Sequence, residues 1–277
     1  MKIFRQHSEL SAWLANAAAG YTGFVPTMGA LHEGHISLVN EAVANNTTVV
    51  VSIFINPKQF NNPEDYAKYP VTEAEDLAML KNSGCHAVYI PSVEDIYPEN
   101  TTHIPLLLNH LESILEGPNR PGHFDGVVQV LHRLFSIVKP DRAYFGLKDF
   151  QQCKVVQALC KQYFPDIQLI FCPTLRESSG LAKSSRNRRL SSQGLVKAAL
   201  IYKALKMVAD AHGHMPLSSA IIQSERFLST QDIQVEYLAC ADSDTFELSE
   251  NWNAEGHNIV LIAAYIEHVR LIDNLQF

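Results

Sequence analysis

The sequence predicts an α/β fold, a Rossmann-like doubly wound parallel sheet, followed by a smaller α+β domain at the C-terminus. Three observations predict it. Residues 47–55 (TTVVVSIFI) are β-branched and apolar almost throughout, and a run without alternation fits a strand buried on both faces, as in a parallel sheet between helices. Apolar runs alternate with helical patterns as far as residue 172, the order that right-handed βαβ crossovers generate. After Pro173 the texture changes to a basic stretch, two helical patterns and then two apolar runs, an order that belongs to an α+β unit. The boundaries follow: 1–174 for the sheet domain and 175–277 for the small α+β domain, with no repeat and no low-complexity linker.

Taken in order, residues 8–19 read as a short helix with Ser8 and Ser11 as caps and Gly20 as its stop. YTGFVP (21–26) is a strand and 27–34 a turn-rich connection. From 35 to 45, Ile36, Val39 and Val43 recur at helical spacing. After the strand at 47–55, helices are expected at 73–83, 127–138 and 150–163, and strands at 87–90, 142–145 (RAYF) and 167–172. In the second domain 176–189 is polar and basic, 192–211 and 217–228 are helices, and 233–240 and 259–265 are strands.

Composition bounds the function. With 277 residues, 47% hydrophobic and 18% charged, the chain is an ordinary globular protein of one large domain or two. Its 22 Lys+Arg against 29 Asp+Glu leave a net charge of -7, which argues against general nucleic-acid binding by phosphate neutralisation. Positive charge must therefore be concentrated locally. Cys85, Cys153, Cys160, Cys172 and Cys240 are scattered, odd in number and without a CxxC pair, so neither a disulfide framework nor a zinc site is expected and a cytoplasmic setting is. The N-terminus lacks a signal-peptide core, and no apolar run approaches the ~18–20 residues that span a bilayer.

Four clusters carry candidate chemistry. PTMGALHEGH (26–35) lies between a buried strand and a helix, at the sheet edge where doubly wound folds bind ligands. His32 and His35 are three apart and bracket Gly34 at a helix start, which favours phosphate; the alternatives are a surface feature or a metal pair lacking a third ligand. FINPKQF (54–60) follows the second strand, with Asn56 and Gln59 either bonding a small substrate or decorating a turn. GLKDFQQ (146–152) offers Lys148 as a mobile cation, Asp149 as a cap or a ribose or metal partner, and Gln152 one turn into a helix. KSSRNRR (183–189) sets cations among serines, as a bound triphosphate or a solvated loop would have them. No GxxxxGK[ST] and no GxGxxG after the first strand is present, which removes the P-loop and ordinary dinucleotide readings.

VPTMGALHEGH, VVVSIFINPKQFNNPEDYAKYP, RPGHFDGV, YFGLKDFQQ, SSRN and RLIDN together resemble the pantoate:β-alanine ligase family, from about Phe24 to Asn274. HEGH is also similar to the HxGH signature of the wider nucleotidyltransferase superfamily. The resemblance implies a two-step, AMP-forming ligation of pantoate to β-alanine, with MgATP consumed through a pantoyl adenylate. It places Met28, Gly29, Ala30, Leu31, His32, Glu33, Gly34 and His35 along ATP, with His35 as proton donor and His32, Lys148 and Arg186 sharing the catalytic work. Gly146, Leu147, Lys148, Asp149, Leu175, Lys183, Ser184, Ser185 and Arg186 complete the nucleotide site. Asn56, Gln59 and Gln152 hold pantoate, and Gln59 also meets β-alanine. A homodimer through the N-terminal domain is implied, with no nucleic-acid or membrane partner. Two positions depart from the family pattern: Leu147 stands where Glu is usual, and Lys183, where Leu or Met is usual, either meets a phosphate or faces solvent. Arg120 and His123 are candidate gate residues. Glu75 and Asp76 either approach Mg²⁺, whose ligands the sequence leaves unassigned, or lie on a solvated helix face. Two other readings are a nucleotidyltransferase acting on another acid and a non-catalytic nucleotide sensor.

Overall fold

In the computed structural model, which describes residues 1–61, 63–253 and 255–277, the alternating runs become two sheets. The chain divides into two compact units, Met1–Leu147 with Gln151–Pro173, and Lys148–Phe150 with Thr174–Phe277.

The first unit holds β1 (Lys2–Phe4), β2 (Thr22–Thr27), β3 (Thr48–Ile53), β4 (Ala87–Tyr89), β5 (Arg142–Gly146) and β6 (Gln168–Cys172) in the order β1-β4-β3-β2-β5-β6, all parallel. Every residue of β3 is buried, as its unbroken apolar run requires. From β2 the chain winds one way through β3 and β4 and the other way through β5 and β6. The β2/β5 junction is thus the point where the order reverses, beyond which doubly wound sheets bind ligands. Because the strands are parallel, Thr27, Ile53 and Gly146 end on one edge, and each delivers one of the first three clusters. Helix Glu33–Asn45 packs Leu38, Val39 and Ala42 into a core with Val25, Val49, Val51, Val88 and Tyr144. Each aliphatic side chain buried there contributes about 1.5–3 kcal/mol relative to exposure.

The second unit is an antiparallel sheet, β7 (Gln234–Asp242), β8 (Asn258–Ile266) and β9 (Val269–Gln276), with β8 central. Helices Ser192–Asp210 and Leu217–Ser229 cover it through Leu205, Val208 and Leu228, against Val260, Ile262 and Leu271.

The differences from expectation have local causes. The first helix is His7–Leu14, capped by neither serine; its N-cap is Gln6, and Asn16 closes the far end by donating to the Ala12 carbonyl (2.8 Å). Helix Glu33–Asn45 begins two residues early because His32 caps it. The helix expected at 127–138 begins at His123, so HFDG of the RPGHFDG motif is a first helical turn rather than loop. β1 is too short to show periodicity. β9 escaped notice because Glu267 and His268, both at positive φ, make its turn where Asn-Gly would have announced one.

Candidate active site

The HxGH segment is held from both ends. Thr27 donates its hydroxyl to the Ser52 carbonyl (2.7 Å) and accepts the Gly29 N–H (3.2 Å), tying the end of β2 to β3. Gly29 (φ 78°) and Ala30 (φ 49°) then turn the chain in the left-handed region. Asp76, only 1% exposed, reaches under this turn and accepts the N–H groups of Ala30 (2.9 Å) and Leu31 (2.8 Å) as well as the Thr72 hydroxyl (3.0 Å). Both oxygens are therefore committed to the loop. The expectation that Asp76 lies on a solvated face is corrected; Glu75, its neighbour, is exposed.

At the helix start the histidines cap each other. His32 Nδ1 accepts the Gly34 N–H (3.1 Å), His35 Nδ1 accepts the His32 N–H (3.3 Å), and the rings lie 4.1 Å apart. An Nδ1 that accepts an N–H carries no hydrogen of its own, so in this arrangement each neutral ring keeps its proton on Nε2. Two N–H donors, on half-buried rings, result at the carboxyl edge of the sheet.

The second cluster folds around Asn56, which is fully buried. Its Nδ2 donates to the Gly126 carbonyl and to Gln59 Oε1, both at 3.0 Å, while its Oδ1 accepts from the Lys58 N–H (3.3 Å) and the Tyr97 hydroxyl (3.0 Å). A backbone carbonyl can only accept, so the Gly126 contact fixes which way Asn56 points, and Asn56 in turn fixes Gln59. Asn56, expected to hold pantoate, has both amide hydrogens and both carbonyl lone pairs engaged by the protein in this arrangement, and through them it orients Gln59. Gln59, 8% exposed, is left with Nε2 as a donor that no described residue accepts. Lys58 sits 4.0 Å over the Tyr97 ring, whose hydroxyl is pushed well above the usual phenol range, chiefly by burial.

Behind this turn stand Arg120 and His123. His123 Nδ1 meets the Gln59 carbonyl (2.9 Å), Arg120 Nη1 meets His123 Nε2 (2.9 Å), and Glu116 lies 3.5 Å from Arg120. His123 and Glu116 are each 5% exposed, which does not suit the gate expected of this segment.

In the third cluster the two glutamines divide. Gln151, 3% exposed, bonds the Glu116 N–H and the carbonyls of Leu111 and Ile114, whereas Gln152 is half-buried with its amide uncommitted among the described residues. The Gly146 carbonyl accepts from Cys153 Sγ (3.5 Å).

Lys148 and Asp149 belong with the second unit. Lys148 Nζ is 3.3 Å from Asp149 Oδ1, and the Lys148 carbonyl accepts Asn274 Nδ2 (2.8 Å). Asp273, 5% exposed, takes Arg176 in a forked pair (2.6 and 3.0 Å), and Arg176 also donates to the Asn274 carbonyl (3.0 Å) while stacking 3.9 Å over Tyr202. RLIDN thus lies on β9 and pins both Lys148 and the start of the basic segment. Within that segment Ser184 caps a short 3-10 turn, Ser185–Arg189, by accepting the Arg186 N–H (3.3 Å). Lys183 Nζ pairs with Glu177 Oε1 (2.7 Å) and its side chain is 16% exposed, so the expectation of a solvent-facing Lys183 is corrected. Ser185 and Arg186 are half-buried; Leu175, Arg188 and Arg189 are exposed.

The sequence missed Glu116, named Asp76 only as a neighbour of Mg²⁺ or a solvated acid, and reached Gly126, Asp273 and Asn274 only as members of the RPGHFDG and RLIDN motifs. For Asp76 a signal existed: it precedes buried Leu80 by four residues, on the inward face of helix Glu73–Asn82. Asn62 of the NPKQFNNPEDYAKYP motif lies outside the described residues.

Comparison with known proteins gives this geometry a relationship. A family profile described as pantoate-beta-alanine ligase matches residues 2–276. The chain belongs to the pantoate-β-alanine ligase family. Among relatives, the pantothenate synthetase of Cytophaga hutchinsonii is 46% identical, over 91% of this chain and 90% of its own length. That of Porphyromonas gingivalis is 41% identical over 100% and 99%. A crystal structure of pantothenate synthetase from Thermus thermophilus superposes with a TM-score of 0.93 at 38% identity, covering 100% of this chain and 99% of that one. The ligase from Francisella tularensis, crystallised with β-γ ATP and β-alanine, superposes with a TM-score of 0.85 at 36% identity, over 100% and 97%. As in the first of these folds, a parallel α/β sheet is followed by a small antiparallel one. Among the described residues, no group of three or more His, Cys, Asp and Glu side chains gathers as a metal site, and no helix is long and apolar enough to cross a membrane.

Proposed function

We propose that this chain condenses pantoate with β-alanine, converting ATP to AMP and diphosphate through an enzyme-bound pantoyl adenylate. A carboxylate oxygen of pantoate attacks the α-phosphorus and diphosphate leaves. The β-alanine nitrogen then attacks the acyl carbon, AMP leaves, and the nitrogen loses a proton as the amide forms. The observation that carries this reading is the mutual capping of His32 and His35 through Nδ1, which leaves the ring hydrogen of each neutral imidazole on Nε2 at a helix start beside the sheet's reversal point. Fixed donors of this kind stabilise charge that grows on phosphate oxygens during displacement, without reorganisation.

In this assignment Met28–His35 lie along ATP, with His35 donating to the departing diphosphate. Gly146–Asp149, Leu175 and Lys183–Arg186 are the remaining nucleotide positions, Lys148 and Arg186 supplying positive charge. The Nε2 of Gln59, together with Gln152, meets pantoate, and Gln59 also meets β-alanine. Mg²⁺ arrives as part of the substrate, MgATP, since such ions keep waters and take phosphate oxygens while both Asp76 oxygens are engaged with Ala30 and Leu31. The second step is a matter of holding a neutral amine against an activated acyl group away from water. A homodimer is the expected assembly, and a monomer mass by light scattering would contradict it.

The direct test supplies ATP, Mg²⁺, pantoate and β-alanine and measures AMP and pantothenate. Folded protein that makes neither product overturns the assignment. Replacement His35→Ala should slow pantoate-dependent exchange of diphosphate into ATP by about 100-fold or more, the cost of one lost donor to a developing oxyanion.

A further inference from the structure

We propose that the RPGHFDG segment is a brace that aims the Gln59 amide, and that His123 is the positioning residue through which it acts. The proposal rests on the pantoate assignment of Gln59 made above. Its ground is a set of contacts around one turn. The Gln59 carbonyl can only accept, so His123 Nδ1, 2.9 Å away, carries the ring hydrogen. Nε2 of the neutral ring then has only a lone pair to offer, and Arg120 Nη1, 2.9 Å away, donates to it. Arg120 is drawn toward the buried carboxylate of Glu116, whose own N–H is held by Gln151 Oε1 (3.0 Å). The ring is therefore fixed in tautomer and in rotation.

The other end of the turn is held from the same helix. The Gly126 carbonyl takes Asn56 Nδ2, and a Cβ at Gly126 would collide with the Lys58 carbonyl, so helix His123–Val138 presses directly on 56–59. Holding the backbone of Gln59 at one end and Asn56 at the other leaves the Gln59 side chain a single arrangement, with Oε1 on Asn56 and Nε2 turned away. A hydrogen bond to substrate then forms without first ordering the glutamine, and that advantage falls on pantoate, and on β-alanine where it meets Gln59, but not on ATP. His32 and His35 take their positions from Asp76 and the helix start, not from His123.

The test is pantoate-dependent diphosphate exchange on the wild type, His123→Leu, His123→Asn and Arg120→Met, each also measured in a Gln59→Ala background, with melting temperatures for all. His123→Leu should raise KM for pantoate about tenfold, the usual consequence of leaving a buried carbonyl unmet, while KM for ATP stays within about twofold. His123→Asn, whose amide N–H reaches the place of Nδ1, should recover most of the loss, and Arg120→Met should move pantoate KM in the same direction if His123→Leu does not fold. In the Gln59→Ala background none of these should add a further pantoate effect. Equal rises in both KM values, an unchanged pantoate KM in a folded variant, or additive effects on Gln59→Ala would overturn the brace. A wild type without pantoate-dependent exchange overturns the substrate assignment instead, and the proposal falls with it. Independently of turnover, ¹⁵N spectra of histidine-labelled protein should show His123 neutral and protonated at Nδ1; protonation at Nε2 refutes the arrangement.

Discussion

Asp76 is the residue on which the turn at Gly29–Leu31 depends. Its carboxylate replaces the solvent that the Ala30 and Leu31 amides would otherwise need, and it does so from a fully buried position. Charge-assisted bonds of this kind contribute about 1.5–3 kcal/mol each. Asp76→Ala should therefore lower the melting temperature markedly and raise KM for ATP; Asp76→Asn, which keeps one acceptor, should do both to a smaller degree. Lys183 is the opposite case. Its side chain pairs with the half-exposed carboxylate of Glu177, a pair of little worth to stability, so Lys183→Met should leave the melting temperature nearly unchanged while raising the ATP KM in steady-state assays, as its place among the assigned nucleotide positions requires. The two histidines stood out in the sequence by their place between strand and helix rather than by spacing alone, and the structure puts them at that helix start, each accepting a backbone N–H. Asp76 did not stand out, because an acid in a helix reads as solvated until the register of Leu80 is taken into account. Asn56 was recognised as a site residue, but its role was legible only once Gly126, seventy residues away, was seen to fill its amide.

At the scale of elements, the central strands were legible and the flanking ones less so. β3 announced itself by an unbroken apolar run, and β2 and β5 by their turns. The three residues of β1 offer no period to detect. β9 carries Asp273 and Asn274 inward, which breaks the apolar pattern that marks a strand. Helix His123–Val138 was recognised by its apolar face from residue 127 on, but its first turn was not, since Pro121 and Gly122 stand just before it and HFDG carries little apolar pattern. That first turn has a measurable consequence. Gly126→Ala forces either the helix or the 56–59 turn to move, because a backbone carbonyl cannot swing aside as a side chain can. The variant should raise pantoate KM by about tenfold or more with a smaller change for ATP, in an initial-rate assay that varies each substrate in turn.

Across the whole molecule, all five cysteines are buried and none is in a disulfide, and burial pushes Cys85, Cys160, Cys172 and Cys240 up to about 11 from an ordinary 9.0. Thiolate is the reactive form, so native protein at pH 8 should resist a thiol reagent over hours and react at all five positions once unfolded; fast labelling of the native chain would contradict the burial. The same shifts fix a sign. A thiol with a raised folded pKa favours the folded state below about 9 and loses that contribution as pH rises from 9 toward 11. Melting temperature should decline across that window, and a flat profile would count against it. The net charge of -7 is compatible with the proposed binding of an anionic nucleotide, since the donors assigned to it there, His32, His35, Lys148 and Arg186, need only local positive charge.

The way Asn56 fixes Gln59 also gives the turn a bias of polarity. Oε1 keeps one lone pair after accepting Asn56 Nδ2, whereas both Nε2 hydrogens are on offer, so a carboxylate, ether or carbonyl finds two donors there and an ammonium or a hydrogen-rich isostere finds a single shared acceptor. Analogue design against this chain can start from that asymmetry.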